Sequence, residues 1–214
     1  MSQNPEVTVA VVDDDDDLRD ALVELIQAAG WKAESYASAE AFLDELSRRL
    51  SERDTRPAGC ALVDVRLPGM DGMALFRSLG GLMPGFPVII LTGHGDVPMA
   101  VEALKAGAVD FMEKPFDPDR LLDSVRQALS LDAEARQTQA MVDQFRTLLD
   151  KLTPREREVM DCMVLGNSNK GIASKLGISP RTVEIYRARV MEKMEVKTLA
   201  ELIRLSLRAM SGGA

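Results

Sequence analysis

Apolar and polar residues follow two different rhythms along the first 130 residues. Short apolar runs predict strands, and the segments between them place apolar residues at the three- and four-residue intervals of a helix. The third and fourth runs are nearly continuous, which is typical of strands that helices cover on both faces of a parallel sheet. The predicted strands are 7–12, 32–37, 60–65, 87–92 and 109–113, and the predicted helices are approximately 16–29, 38–49, 72–80, 97–106 and 118–130.

Five strands that alternate with five helices predict a doubly wound α/β domain with a flavodoxin-like parallel sheet. In such a domain, ligands bind beyond the carboxyl ends of the strands. We therefore expect polar side chains of complementary type to collect along one edge of the sheet. The residues that follow or end the predicted strands are Asp13 and Asp14, Asp64, Thr92, and Lys114.

Glycine and proline become rare after Pro118, and helix-favouring residues dominate up to residue 152. We interpret residues 1–130 as the α/β domain and residues 131–151 as a helical linker. The apolar residues of the linker have helical spacing, which suits either an amphipathic helix that covers its own domain or a dimer-forming coil. They are Met141, Phe145, Leu148, Leu149 and Leu152.

Residues 152–214 predict a small all-α domain. A capping box at Thr153 and Glu156 opens its first helix, and further helices are predicted near 168–176, 180–194 and 198–209. A turn at Gly177 gives the middle two of these four helices the spacing of a helix-turn-helix. On the helix 180–194, an advance of about 100° per residue places one apolar side toward the core. That side consists of Val183, Tyr186, Val190 and Met194.

Composition and charge support two domains with different partners. The chain is 46% hydrophobic and 28% charged, as expected for a globular protein with a real core. Its net charge is −8, but residues 1–130 carry 12 basic and 23 acidic residues, whereas residues 151–214 carry 12 and 7. The beginning of the sequence lacks the pattern of a signal peptide, and no apolar run is long enough to span a membrane. We expect a cytoplasmic protein without membrane partners.

Three carboxylates at one edge of the sheet repel one another unless a cation is present. An all-oxygen site formed by Asp13, Asp14 and Asp64 suits Mg²⁺ or Mn²⁺. Lys114 adds a positive charge for a phosphoryl oxygen, and the Thr92 hydroxyl adds a hydrogen bond. This set favours in-line attack of a carboxylate on phosphorus, with an aspartyl phosphate as the product.

The motifs VVDD, LVDVRLPGMDG, ILTGHGD and MEKPF occur in this order, and together they resemble the receiver domain of two-component response regulators. The resemblance implies that Asp64 is the phosphoacceptor and that Asp13, Asp14 and the backbone carbonyl of Arg66 complete the metal site. It also implies a switch formed by Thr92 and Phe111, and a cis bond after Lys114. His94, the only histidine, lies two residues after Thr92 and either tunes hydrolysis of the phosphoaspartate or is a plain loop residue.

The segment LTPREREVM…GNSNKGIASKLGISPRTVEIYRARVMEKM resembles the LuxR-type helix-turn-helix of the FixJ/NarL family. On the helix 180–194, the side opposite the core suits the major groove, where Ile185 meets a thymine methyl and the arginines meet guanine or phosphate. Other residues are expected to anchor the DNA backbone. The predicted contacts are Lys170, Arg181, Thr182, Glu184, Ile185, Ala188, Arg189 and Lys193, with Glu184 either accepting from cytosine or pairing with an arginine.

The order of domains resembles FixJ-like response regulators. This implies phosphorylation of Asp64 by a sensor histidine kinase, then dimerisation and binding of double-stranded DNA, with RNA polymerase as a further partner and no enzyme activity beyond self-phosphorylation and self-dephosphorylation. In this family the last helix often forms the dimer contact, although its leucines suit a core equally well. Two alternatives remain open: a constitutive DNA-binding protein with a non-essential acidic pocket, and a phosphatase with an aspartyl-phosphate intermediate. The phosphatase would require a D-x-D nucleophile pair, which the sequence Asp64-Val65-Arg66 lacks.

Overall fold

The computed structural model describes residues 7–53, 57–93 and 97–211. Within these residues, the predicted strands and helices are present, and most of their ends differ from the prediction by only one or two residues. The strands are β1 (Thr8–Val12), β2 (Lys32–Tyr36), β3 (Gly59–Asp64), β4 (Val88–Thr92) and β5 (Asp110–Glu113). The helices are α1 (Asp16–Ala28), α2 (Ala39–Arg53), α3 (Gly72–Leu82), α4 (Val97–Lys105), α5 (Pro118–Asp150), α6 (Pro154–Val164), α7 (Asn169–Leu176), α8 (Pro180–Lys193) and α9 (Leu199–Ser211).

The five strands form one parallel sheet in the order β2-β1-β3-β4-β5. Strand β3 lies in the middle of the sheet, between β1 and β4, and all six of its residues are buried. Because the chain passes from β1 outward to β2 and then back across β1 to β3, the order of strands reverses beside β1. The carboxyl ends of β1 and β3 meet at this point, where α/β sheets bind their ligands.

Apolar residues cover both faces of the sheet. Alternate residues of β1 point to opposite faces, so that Val9 packs with α1 and α5, whereas Ala10 packs with α2, α3 and α4. The fully buried side chains Leu22 and Ile26 of α1 and Leu121 of α5 complete the first face. This arrangement explains why the central strands are apolar at almost every position.

The chain divides into two units, Met1–Ala135 and Arg136–Ala214, and the division falls within α5. The predicted linker 131–151 is therefore shared between the two units. Four of its residues are buried: Asp132 lies in the first unit, and Val142, Phe145 and Leu148 lie in the second, where the latter two belong to the apolar core. Phe145 and Leu148 therefore pack α5 onto the core of the second unit.

The second unit packs α6 to α9 around an apolar core to which α5 contributes. Its capping box is formed as predicted: the Thr153 hydroxyl caps the N–H of Glu156, and the Glu156 carboxylate accepts from the N–H of Thr153. Helix α7 ends at Gly177, whose positive φ of 66° makes the turn before α8. Of the leucines of α9, Leu202 is fully buried in the core and Leu207 is 55% exposed.

None of the helices in the described parts of the chain is long and apolar enough to cross a membrane.

Candidate functional site

The carboxyl ends of the strands bring Asp13, Asp64, Thr92 and Lys114 to one edge of the sheet. Asp13 follows β1 and is 1% exposed, Asp64 ends β3 and is 4% exposed, and Thr92 ends β4 and is 2% exposed. Lys114 follows β5, and its bond to Pro115 is cis, as the sequence motif implies. Two almost inaccessible carboxylates therefore lie side by side in the first unit.

Lys114 holds the two buried carboxylates together. Its Nζ lies 2.7 Å from Asp13 Oδ2 and 2.5 Å from Asp64 Oδ1. The second oxygen of each carboxylate accepts a backbone N–H: that of Asp15 on Asp13 Oδ1 at 3.1 Å, and that of Arg66 on Asp64 Oδ2 at 2.7 Å. Every carboxylate oxygen thus has one partner and keeps a further lone pair for another ligand.

Burial and the neighbouring charges shift the pKa values of Asp64 and Lys114. Burial raises the pKa of Asp64, and the proximity of Asp13 adds to this, while Lys114 and the N–H of Arg66 oppose it. Burial alone would lower the pKa of Lys114, but its contacts with Asp13 and Asp64 outweigh burial and raise it. The lysine therefore stays charged, and one ammonium serves two carboxylates that compete for it.

The oxygen-rich site fits a divalent cation. Two carboxylates contact one ammonium, which leaves an excess of one negative charge, and the exposed Asp14 follows Asp13 in the sequence. Among the residues described, no three Asp, Glu, His or Cys side chains are close enough to form a metal site by themselves. Mg²⁺ suits such an incomplete set, because it usually keeps several waters and takes only one or two carboxylates.

A cavity opens beside the carboxylates, between the segment after β3 and α4. Its volume is about 780 Å³, and both Asp14 and Arg66 line it. The exposed side of the cavity is bounded by an ion pair between Arg77 of α3 and Glu102 of α4, whose Nη1 and Oε1 atoms lie 3.3 Å apart. The cavity therefore reaches Asp14 and Arg66 at the edge of the site.

The structure places the remaining predicted residues of this site as follows. Arg66 is the second residue after the end of β3 and is exposed. Phe111 lies in β5, is half-buried and packs against the core on the α4 side of the sheet. His94 lies outside the described residues.

Arg19 of α1 belongs to the site, although no motif in the sequence pointed to it. Its Nη1 donates to the backbone carbonyl of Asp13 at 2.8 Å, and its other terminal nitrogen pairs with Asp16. The arginine side chain is only 13% exposed. Asp16 and Arg19 have the spacing of an i,i+3 pair on a helix, and this was the one available signal. The sequence did not show that the guanidinium reaches back to the strand end.

The second unit presents a helix whose two sides differ as predicted. Val183, Val190 and Met194 are fully buried, and Tyr186 is partly buried. The opposite side carries exposed residues, including an Ile185 that is 50% exposed. The other exposed residues on that side are Arg181, Glu184, Ala188 and Arg189, and Lys170 of α7 is exposed as well.

Two of the predicted DNA contacts have partners within the second unit. The Thr182 N–H donates to Ser179 Oγ at 3.1 Å, and the two hydroxyl oxygens lie 2.8 Å apart, so Thr182 is part of the N-cap of α8. Lys193 Nζ lies 2.6 Å from Glu156 Oε2 and donates to the carbonyl of Lys151 at 3.0 Å. The ammonium of Lys193 therefore neutralises a carboxylate that is almost completely buried.

Comparison with known proteins identifies both units. The model of the response regulator receiver domain matches residues 9–126, and that of the luxR family of bacterial regulatory proteins matches residues 150–206. The first range contains the acidic site, and the second contains the helix-turn-helix. A receiver followed by a luxR-type DNA-binding domain defines a two-component response regulator, which is a phosphorylation-dependent transcriptional regulator. The chain belongs to the FixJ/NarL family of these regulators.

Relatives match the chain over nearly its whole length. The transcriptional regulatory protein FixJ of Bradyrhizobium diazoefficiens is 45% identical, with 94% of this chain and 95% of that protein covered. FixJ of Rhizobium meliloti is 43% identical, with 94% and 96% covered. A low-resolution structure of the response regulator StyR is 40% identical and has a TM-score of 0.80, covering 95% of this chain and 99% of that chain. The full-length structure of FixJ from B. japonicum is 43% identical with a TM-score of 0.56, covering 97% and 99%.

Proposed function

We propose that Asp64 is the residue that accepts the phosphoryl group from a sensor histidine kinase. The observation that carries this proposal is the contact of one lysine with two buried carboxylates at the strand ends. Asp64 is the inner of the two, at the end of the fully buried strand β3. A carboxylate in this position combines a nucleophilic oxygen with neighbouring groups that receive the negative charge of phosphate.

Each group has a distinct part in the transfer. An oxygen of Asp64 attacks the phosphorus in line with the leaving group, and Lys114 remains protonated to neutralise a phosphoryl oxygen. Asp13, Asp14, Asp64 and the carbonyl of Arg66 would hold Mg²⁺, which would supply charge stabilisation for the phosphoryl group. Arg19 holds the carbonyl of Asp13 and so positions that carboxylate. The chain undergoes self-phosphorylation and self-dephosphorylation and performs no other enzymatic reaction.

The phosphoryl group then changes the surface of α4 and β5. Thr92 moves its hydroxyl toward the new oxygens, and Phe111 turns inward from its half-buried position. Helix α4 exposes an apolar set that suits a dimer contact between phosphorylated chains, because exposed apolar patches mark interaction sites. Its members are Val97, 74% exposed, Val101, 44% exposed, and Leu104, 49% exposed.

The phosphorylated dimer binds a two-fold site on double-stranded DNA through α8. The exposed Ile185 lies between Arg181 and Arg189 on the solvent side of this helix, where it meets a thymine methyl while the arginines meet guanine or phosphate. Glu184 and Ala188 face the same bases, and Lys170 anchors the backbone. The bound dimer acts on RNA polymerase in the bacterial cytoplasm, where its DNA lies. Thr182 and Lys193 support the helix rather than contact the DNA directly.

Labelling with a small phosphodonor tests the proposed site. Wild type, Asp64→Ala and the control Asp123→Ala, whose carboxylate is exposed on α5, are incubated with labelled acetyl phosphate and Mg²⁺. We expect stable label on wild type and on the control, and none on Asp64→Ala. Label on Asp64→Ala would contradict the assignment of the phosphoacceptor. Rapid release of phosphate over many turnovers without stable label would instead favour the phosphatase alternative.

A further inference from the structure

Asp132 is a fully buried acid that the proposed phosphotransfer does not use. It lies in α5, within the predicted linker 131–151, and its exposure is 0%. It continues the spacing of Leu121, Val125 and Ala128, the residues with which α5 packs on the sheet. An acid therefore occupies the position that ends an apolar stripe, where a buried carboxylate is costly unless it is bonded.

At the beginning of β3, the carboxylate of Asp132 accepts a backbone hydrogen bond that a neighbouring strand would otherwise accept. The N–H of Gly59 donates to Asp132 Oδ2 at 2.9 Å, across 73 residues of sequence. Two residues further along β3, the N–H of Ala61 points to the same side of the strand and donates to the carbonyl of Pro87, which precedes β4. Strand β4 begins only at Val88, too late to serve Gly59. Asp132 thus supplies the acceptor that a longer β4 would have provided.

Gly59 holds this end of β3 in one conformation. Its φ is +139°, and a Cβ at this position would lie 1.8 Å from the carbonyl oxygen of Thr8 in the neighbouring strand. The N–H that Asp132 binds therefore has a fixed direction. A rigid donor and a buried acceptor make this contact specific for one position of the α5 axis along the sheet.

Beyond Asp132, α5 has no buried residue until Val142. The nine residues 133–141 correspond to about 2.5 turns at 3.6 residues per turn. A helix of this length has little stability of its own in water, because helices shorter than about 12–15 residues are marginal. Its order therefore depends on what holds it at either end.

We propose that Asp132 is the anchor at which the receiver ends. Its hydrogen bond with Gly59 fixes the middle of α5 to the amino-terminal edge of the sheet. Local opening of α5 is confined to residues 133–141 as long as the carboxylate binds Gly59. Without the anchor, the opening extends backward into residues 129–132. This inference does not depend on phosphorylation, so its failure and that of the proposed phosphoacceptor are distinguishable.

Hydrogen exchange of the full chain, measured by mass spectrometry with residue-level fragmentation, tests the anchor. The variants are Asp132→Ala, Asp132→Asn, which keeps an acceptor oxygen, and the control Asp143→Ala, whose acid lies on the same helix and is exposed. We expect exchange in residues 129–132 to become about tenfold faster in Asp132→Ala, because a buried N–H is left without its partner. In Asp132→Asn the acceleration of exchange is smaller, and in the control the exchange of these residues is unchanged.

Equal exchange of residues 129–132 in wild type and Asp132→Ala would overturn the proposal. If Asp132→Ala does not fold, the amide of Gly59 in the wild type decides. Slow exchange of that amide, at the rate of the central strand, supports the bond to Asp132. Exchange as fast as that of an exposed amide overturns it.

Discussion

The ion pair between Lys193 and Glu156 leads to a prediction that separates a structural lysine from a DNA contact. Glu156 Oε2 lies 2.6 Å from Lys193 Nζ, and the side chains are 3% and 34% exposed, respectively. Removing one partner of a fully buried pair costs about 3–5 kcal/mol, whereas an exposed pair contributes about 0–1 kcal/mol. Because the lysine is one-third exposed and Glu156 keeps the N–H and hydroxyl of Thr153, we expect Lys193→Met to cost about 1–2 kcal/mol.

Calorimetry of the full chain measures this cost in the transition of the second unit. For a domain of 60–100 residues, 1 kcal/mol shifts Tm by roughly 4–8 °C, so a decrease of roughly 5–15 °C is expected. Lys170→Met is the matched control, since it removes the same charge from an exposed position. We expect this control to keep its Tm and to weaken DNA binding, with a salt dependence reduced by about one phosphate contact.

A double variant sharpens the result. Glu156→Gln removes the buried charge that Lys193→Met leaves unpaired, so we expect the pair of substitutions to be more stable than Lys193→Met alone. The reasoning would be refuted if Lys193→Met kept the Tm of wild type while DNA affinity and its salt dependence fell as in Lys170→Met. Lys193 would then be a phosphate contact, as its place in the sequence suggested.

Three further predictions concern other parts of the chain. Gly59→Ala is expected to lower the free energy of unfolding by more than about 2 kcal/mol, because the new Cβ would lie 1.8 Å from the carbonyl oxygen of Thr8. Urea unfolding followed by Trp31 fluorescence measures this loss, and an unchanged midpoint would contradict the steric argument. The hydrogen bond from Lys193 lowers the pKa of Glu156 below 4.5. The charged Glu156 therefore stabilises the folded second unit at neutral pH, and this stabilisation is lost as the pH falls below that value. In acid titrations of stability, Glu156→Gln is expected to lack this part of the pH dependence. A pH profile identical to that of wild type would contradict this prediction. Ile185→Ala weakens binding by about 1 kcal/mol or more to sites with a thymine at the contacted position, and equal weakening for every DNA sequence would argue against base contact.

Much of the fold could be predicted because its local signals agree with one another. Apolar runs mark the strands, and acids or hydroxyls mark several helix starts; Asp15 caps α1 by accepting from the N–H of Leu18. The positions of Asp13, Asp64 and Lys114 followed from a single rule, that the ends of parallel strands meet. These features depend on residues close in sequence, or on the periodicity of the whole sheet.

What could not be predicted depends on contacts between distant residues. The hydrogen bond between Gly59 and Asp132 could be predicted only if the lengths of β3 and β4 were known, because the carboxylate accepts where a longer β4 would have accepted. An acid on the apolar stripe of α5 was a visible signal, but it does not reveal its partner. In the same way, basic residues of a DNA-binding helix look alike in sequence, and only the fold shows that Lys193 pairs with Glu156.

The affinity of the full chain for its DNA, with and without phosphorylation of Asp64, tests the central claim most directly. Wild type and Asp64→Ala are treated with acetyl phosphate and Mg²⁺, and binding to one two-fold DNA site is measured at constant salt. We expect treatment to raise the affinity of wild type at least about tenfold, an effect of about 1.4 kcal/mol and within the usual range of coupling between sites, and to leave Asp64→Ala at the untreated value. Equal affinity of phosphorylated wild type, untreated wild type and Asp64→Ala would contradict the account and would show that this chain binds DNA constitutively.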